Sequence, residues 1–507
     1  MSPLDGFLAA FSPSLLPYLL LGVALGMFFG VVPGLTATMG VALLTPLAFR
    51  FPPAQGLAII LGVYIAAMFG GDITAILINM PGTPASIAVT FDGYAMMKQG
   101  RAGLALGLNA LASAGGSLFG LIALALVAIP LANFALRFGP PEYFALALFG
   151  LSMMISVSGL SIVKGLLVGL LGMLLATVGF DPIVGYPRFA FGKPELLSGL
   201  SFIPIMIGLF GVAEVLDQVL QRRTLAAGLS AATGALGRLM PNRAEVRQVA
   251  PAFLLSSSIG TVVGAIPGAG GDIASILSWD QARRISKRPQ EFGRGSIEGL
   301  VAAQTANNSI VGGALATTLA LGVPGDTVTA VLIGILLIWG LKPGPLFFRD
   351  HLPLFYEIVG ICIAATIISG LLSVIRARGI VGWVVGLDRG RLWAIVLASC
   401  AIGTYALNNS AHDVWLMLIA GLAGLLLRRQ GFPPGPLVLG LILGPIAESN
   451  LRRSLAMSAG DWRILVGEPI AAVLLGASVL ALALASWQHA RHRRADRAVA
   501  GPGQATS

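Results

Sequence analysis

Four Pro-Gly steps and three aspartates interrupt stretches that are otherwise apolar, and these residues have chemistry to offer. The steps are Pro33-Gly34, Pro81-Gly82, Pro267-Gly268 and Pro324-Gly325. Proline removes a backbone N–H and glycine is costly inside a helix, so a helix crossing any of these points is expected to break there. A helix restarting after the break presents unpaired N–H groups and the positive end of its dipole, which suits an anion. Gly34, Gly82, Gly268, Gly270 and Gly325 allow close backbone approach to a ligand. Thr36, Thr38, Thr83 and Thr327 add hydroxyl donors, and Asn79, Asn307 and Asn308 can donate or accept. The plainer reading is that each step marks a kink whose polar neighbours satisfy freed backbone. Four breaks in a pattern that occurs twice favour a binding site.

Asp72, Asp272 and Asp326 lie beside the same breaks. An ionised Asp at the centre of a membrane helix costs roughly 2.5–3.5 kcal/mol on insertion scales, so it usually faces a cavity or a partner. Three roles stay open: capping the next half-helix, which suits Asp272 and Asp326 best; carrying a coupling ion, Na⁺ or H⁺; or contacting substrate. Asp72, which follows Gly71, is the one least explained by capping.

These residues must be positioned by membrane helices. Of 507 residues, 56% are hydrophobic and 11% charged, against roughly a quarter charged in soluble domains, and the mean hydropathy is +0.87. That excludes a soluble enzyme and a disordered chain, and at about 20 residues per span it leaves room for roughly ten to twelve spans. Cys362 and Cys400 sit in apolar runs and the four histidines match no metal-ligand spacing, so no cofactor and no metal beyond a coupling ion is expected. The net charge of +10 is carried by loops between apolar runs, which argues against nucleic acid. No cleavable signal peptide is expected.

Residues 1–49 carry no Lys or Arg, so the N-terminus is expected outside. Lys98 with Arg101, Lys164, and Arg222 with Arg223 then fall on the cytoplasmic side. The basic stretch 221–248 reads as a cytoplasmic linker. A second basic cluster, Arg283 to Arg294, follows after one apolar run, 249–280. A single crossing cannot leave both flanks cytoplasmic, so that run, broken at 266–271, is expected to be a re-entrant hairpin. Continuing by parity places the tail, 489–507, in the cytoplasm, with Arg452 and Arg453 landing discordantly outside.

The two halves resemble each other. Gly30 to Gly34 matches Gly264 to Gly268, Gly70-Gly71 before Pro81-Gly82 matches Gly312-Gly313 before Pro324-Gly325, and Gly179 to Pro182 matches Gly431 to Pro434. The expected fold is therefore an all-α polytopic membrane protein built as an inverted repeat. Repeat one covers 1–220, with a re-entrant hairpin at 14–49 and a broken helix at 55–97. Repeat two covers 249–450, with a hairpin at 249–280 and a broken helix at 299–341. Each half adds about four further spans, and 451–488 supplies an extra C-terminal helix. Secondary transporters with inverted repeats bind their cargo where broken helices meet near the midplane.

At these motifs the sequence resembles the large membrane subunit of the tripartite tricarboxylate transporters, the TctA-like permeases. The matching residues are Gly70-Gly71 through Asn79-Met80-Pro81-Gly82-Thr83-Pro84-Ala85, Asp92-Gly93-Tyr94, Ile266 to Gly270, and Glu291-Phe292-Gly293. Ala306-Asn307-Asn308, Gly322 to Gly325, Lys342 to Pro345 and Asn408-Asn409-Ser410 continue the likeness in order along nearly the whole chain. The resemblance implies ion-gradient-driven uptake of an organic carboxylate, tricarboxylate, dicarboxylate or a related acid, across the bacterial inner membrane. It also implies a small four-helix membrane partner and a periplasmic solute-binding protein, with a monomeric or homodimeric membrane complex left open. The chain departs from the family pattern at Gln304, where an acidic residue is expected, and at Asp72, Asp272 and Asp326, where small or hydroxyl residues are expected. The competing classes are a passive channel and an intramembrane lipid-modifying enzyme; the second lacks a nucleophile–base constellation.

Overall fold

The computed structural model describes residues 3–32, 34–157, 162–221, 237–385 and 389–499; Pro33, Arg222 and Arg223 lie outside them. In chain order the helices are α1 (Pro3–Ala9), α2 (Leu16–Val31), α3 (Ala37–Ala48), α4 (Pro53–Ile78), α5 (Ile87–Lys98), α6 (Ala102–Ala135), α7 (Pro140–Val157) and α8 (Ile162–Leu175). Next come α9 (Phe202–Met206), continued through a wider π turn into α10 (Ala213–Gln221), then α11 (Arg243–Gly264), α12 (Gly270–Ile285), α13 (Ile297–Leu321), α14 (Thr327–Ile338) and α15 (Pro345–Asp350). The chain continues through α16 (Leu352–Val385), α17 (Arg389–Asn408), α18 (Ala411–Arg429), α19 (Pro434–Met457), α20 (Ile464–Gly467) and α21 (Pro469–Val499). A two-residue antiparallel pair, Gly179–Phe180 with Pro187–Arg188, is the one sheet among the described residues. Eight described helices are long and apolar enough to cross a membrane, so this is an all-α, multi-pass membrane protein.

The chain packs as two compact units, each built from two separate stretches of sequence: Met1–Leu136 with Ser201–Leu425, and Arg137–Leu200 with Leu426–Ser507. The first unit is organised around α4 and α13. Both are buried along essentially their whole length, which is how a helix apolar on all sides behaves when other helices rather than lipid surround it. Each ends on a left-handed residue, Asn79 (φ 55°) after α4 and Gly322 (φ 71°) after α13. Asn and Gly are the residues that adopt this conformation most readily, so the chain turns sharply there before resuming as α5 and α14.

A pair of shorter helices leans on each buried one. Gly22, Gly26 and Gly30 of α2 lie against the backbone of Ile59, Val63 and Ala67 of α4, where a Cβ would collide. Gly260 and Gly264 of α11 lie the same way on Ala306 and Ile310 of α13. Small residues four apart let helix backbones meet in an apolar medium. At 1.5 Å per residue, the 16 residues of α2 reach only about 24 Å and the 12 of α3 about 18 Å. Both are short of the roughly 30 Å hydrocarbon core. The α11 helix begins at Arg243, within the stretch read as linker, behind an Asn242–Glu245 capping box.

In the second unit, Gly169 and Gly172 of α8 meet Gly440 and Leu437 of α19 at backbone contact. Above them Arg452 bonds Asp181 at 2.5 Å and Glu448 at 3.0 Å, while Arg188 bonds Glu448 at 2.5 Å. Two acids thus pair with two arginines, so Arg452 is not the free charge that a count along the chain takes it for.

Candidate functional site

Inside the first unit the four breaks close into a ring. Thr38, at the start of α3, shares a 2.8 Å hydroxyl contact with Thr327, at the start of α14. The N–H of Gly268, at the α11–α12 turn, donates to the carbonyl of Gly325 at 2.8 Å. Ser275 of α12 donates to the carbonyl of Ala85 at 2.8 Å, and Gly271 packs against Ala85 and the Asn307 side-chain oxygen. Gly82 lies so close to Gly30 and Gly71 that it has no room for a Cβ, and its N–H donates to Gly71 at 3.2 Å. Pro267, Pro324 and Gly325 are buried in the ring, whereas Pro81 is exposed beside it. Gly34 (φ 95°) sits beside Gln218, and Gly270 (φ 70°) opens α12.

The hydroxyl candidates take several roles. Thr36 caps α3, accepting from the Met39 N–H at 3.1 Å, and Thr83 bonds Ser86 at 2.9 Å. Asn79 is exposed and acts through its backbone as the left-handed end of α4, so its side chain is not drawn into the ring. No lysine, arginine or histidine among the described residues is buried. The polar groups that join the ring are therefore backbone and hydroxyl groups rather than fixed cations.

The three aspartates separate cleanly. Asp326 is the N-cap of α14: its carboxylate accepts from the Thr329 N–H at 2.7 Å and hydroxyl at 2.8 Å, and from the Tyr64 hydroxyl at 2.5 Å. Asp272 falls in the first turn of α12 without capping it, since the cap position is Ala269, which makes no side-chain bond. The capping expectation thus holds for Asp326 and not for Asp272, because α12 already begins at Gly270, three residues before a helix capped by Asp272 would start. Asp72 is fully buried in mid-α4, facing Asn307 at 3.1 Å and Asn308 and Ser113 at 3.5 Å.

Two residues missed by the sequence reading matter here. Tyr64 is a fully buried tyrosine whose hydroxyl needs an acceptor, and it finds Asp326 across 262 positions of sequence. Gln304, noted only as a departure, carries side-chain atoms with no hydrogen-bond partner at complete burial. Asp92, part of the Asp-Gly-Tyr motif, gathers the Trp279 indole N–H at 2.7 Å and the backbone N–H groups of Gly293, Gly295 and Ser296 at 2.8, 3.0 and 2.8 Å. That carboxylate ties α5 to α12 and to the turn before α13, so two of the sequence motifs hold the frame.

The model of the tripartite tricarboxylate transporter TctA family matches residues 16–439. The chain belongs to this family. It is also 37% identical over 492 residues to an uncharacterized 52.8 kDa protein in the TAR-I ttuC′ 3′ region of Agrobacterium vitis, covering 96% of both chains. A second Agrobacterium vitis protein, from the TAR-II ttuC′ 3′ region, is 36% identical over 238 residues, which is 97% of that protein and 46% of this one. TctA proteins form a transporter family rather than an enzyme family, and the name denotes one part of a three-part system.

Proposed function

We propose that this TctA-family protein is the membrane permease of a secondary transporter that imports an organic carboxylate. The observation that carries the reading is the ring: four chain breaks meeting inside one unit, joined to one another through backbone N–H groups and hydroxyls. In the proposed arrangement, α2 with α3 and α11 with α12 are re-entrant hairpins of two inverted repeats, and α4–α5 and α13–α14 are the broken helices. The paired glycine contacts of α2 on α4 and of α11 on α13 support it. Substrate is bound at Gly34, Thr36, Thr38, Gly82, Thr83, Gly268, Gly270, Gly325 and Thr327, with Asn307 and Asn308 at its edge. Na⁺ or H⁺ supplies the driving force through the aspartates beside the breaks.

A periplasmic binding protein delivers the acid and a small four-helix subunit completes the complex in the bacterial inner membrane. The N-terminus is periplasmic and the tail cytoplasmic. The test is uptake of labelled citrate, a C4-dicarboxylate and an aromatic carboxylate into proteoliposomes holding this chain and its small partner, with the binding protein outside. Accumulation above equilibrium under an imposed Na⁺ or H⁺ gradient is the expected result; equilibration alone would make the protein a channel.

A further inference from the structure

We infer that Asp72, with the side-chain oxygens of Gln304, Asn307 and Asn308, holds a single sodium-sized cation between α4, α6 and α13. This deepens the transport reading above and rests on it for its role in coupling. The first argument is electrostatic. Asp72 is 0% exposed and its partners are all neutral donors: the Asn307 amide at 3.1 Å, Asn308 and Ser113 at 3.5 Å, and the Ser86 hydroxyl. A buried carboxylate ordinarily draws shorter, charge-assisted bonds or an opposite charge. Asp326 shows what a satisfied one looks like, with donors at 2.5, 2.7 and 2.8 Å.

The second argument is a surplus of acceptors. The side-chain oxygens of Asn307, Asn308 and Gln304 are all buried without a hydrogen-bond partner. Positions 304, 307 and 308 share one face of α13. The Asn308 amide nitrogen is held by the Gln304 carbonyl at 2.9 Å, which fixes where its oxygen lies. Native structures rarely leave several buried acceptors unpaired at one place. A proton on Asp72 could satisfy only one of them, whereas a cation takes several oxygens at once.

The third argument is charge. One carboxylate among neutral amide oxygens balances a monovalent ion. Divalent sites generally use more carboxylates or softer ligands, and no group of three His, Cys, Asp or Glu residues that could hold a metal occurs among the described residues. Asn307 also touches Gly271 on the ring. The cation thus sits one side chain away from the proposed anion site, where it offsets the negative charge that a carboxylate substrate would otherwise add to Asp72.

The test uses the purified full-length chain in lipid nanodiscs with no carboxylate present. Saturable ²²Na⁺ binding and the thermal midpoint are read in NaCl against choline chloride at constant ionic strength. The wild type is expected to bind Na⁺ and to gain midpoint with the logarithm of its concentration. Asp72→Asn should weaken binding by at least about tenfold, the order lost when even an outer-shell partner of a metal site is removed, while Asp350→Asn, exposed at the end of α15, should retain it. Gln304→Leu removes an unpartnered amide, so its midpoint in choline should be equal or higher while its Na⁺ affinity falls severalfold; a merely structural glutamine would not separate the two. No saturable binding in the wild type, or wild-type binding in Asp72→Asn, overturns the site. If Asp72→Asn does not fold, an unchanged Na⁺ response in Gln304→Leu overturns it instead. Na⁺ binding at Asp72 without gradient-driven uptake sinks the transport reading alone, and uptake without cation binding sinks this site alone.

Discussion

Asp326 and Asp72 sit in the same unit, both buried and both beside chain breaks, yet their surroundings are opposite in character. Asp326 begins a helix, so backbone and side-chain donors of that helix point at it, and Tyr64 closes the remaining lone pairs. Asp72 lies inside α4, whose own N–H groups are already spent, and depends on amides from α13 and hydroxyls of Ser113 in α6 and Ser86 before α5. Position along the helix therefore separates a carboxylate met by short bonds from its own helix from one that relies on side chains of other helices.

The comparison breaks most visibly at Asp326. Asp326→Ala removes the cap, worth about 1 kcal/mol in typical helices, and strands the buried Tyr64 hydroxyl at about 1–3 kcal/mol. A combined loss of about 3 kcal/mol is expected, read as a lowered thermal midpoint of the solubilised chain. Tyr64→Phe leaves the cap in place and removes one donor, so a loss of about 1–2 kcal/mol is expected by the same assay. Asp72→Asn in Na⁺-free buffer should fall within about 1 kcal/mol of wild type, or above it, because the amide needs no countercharge. A large loss there would mean that Asp72 is a structural carboxylate like Asp326, and the contrast would collapse.

The sequence made the broken helices legible because the Pro-Gly steps are local signals with local causes, though the left-handed ends at Asn79 and Gly322 came only with the structure. It also exposed the aspartates, since a charge in an apolar run is conspicuous. What it did not carry was the identity of their partners. Nothing near Tyr64 marks it as the mate of Asp326, 262 positions away, and a lone tyrosine in an apolar run looks like core. The Asp-Gly-Tyr and Glu-Phe-Gly motifs also read as separate features until folding brings Gly293 onto Asp92. The grouping of 137–200 with 426–507 into one compact unit was equally hidden, because both stretches are ordinary apolar helices whose glycines match only in three dimensions.

Asp181 sharpens the comparison with the smallest expected effect. It lies in the loop after α8, where the N–H groups of Val184 and Ile183, together with Arg452, hold its carboxyl down to about 2 from the usual 3.8. A carboxyl lowered in the folded state stabilises that state above its unfolded pKa and loses the contribution as pH falls through the folded one. The order of the 181–188 turn should therefore be at full strength above about pH 3.8 and fade as pH approaches 2. Exposed Phe189 and Phe191 make pepsin, active across this window, a suitable probe. Wild type should be cut there a few-fold more slowly than Asp181→Asn near pH 3.8, with the gap closing as pH falls towards 2. A gap that persists at the lowest pH would assign the difference to the shape of the side chain rather than its charge. Asp181 would then resemble the neutral capping of a turn more than the charged pairing seen with Arg452.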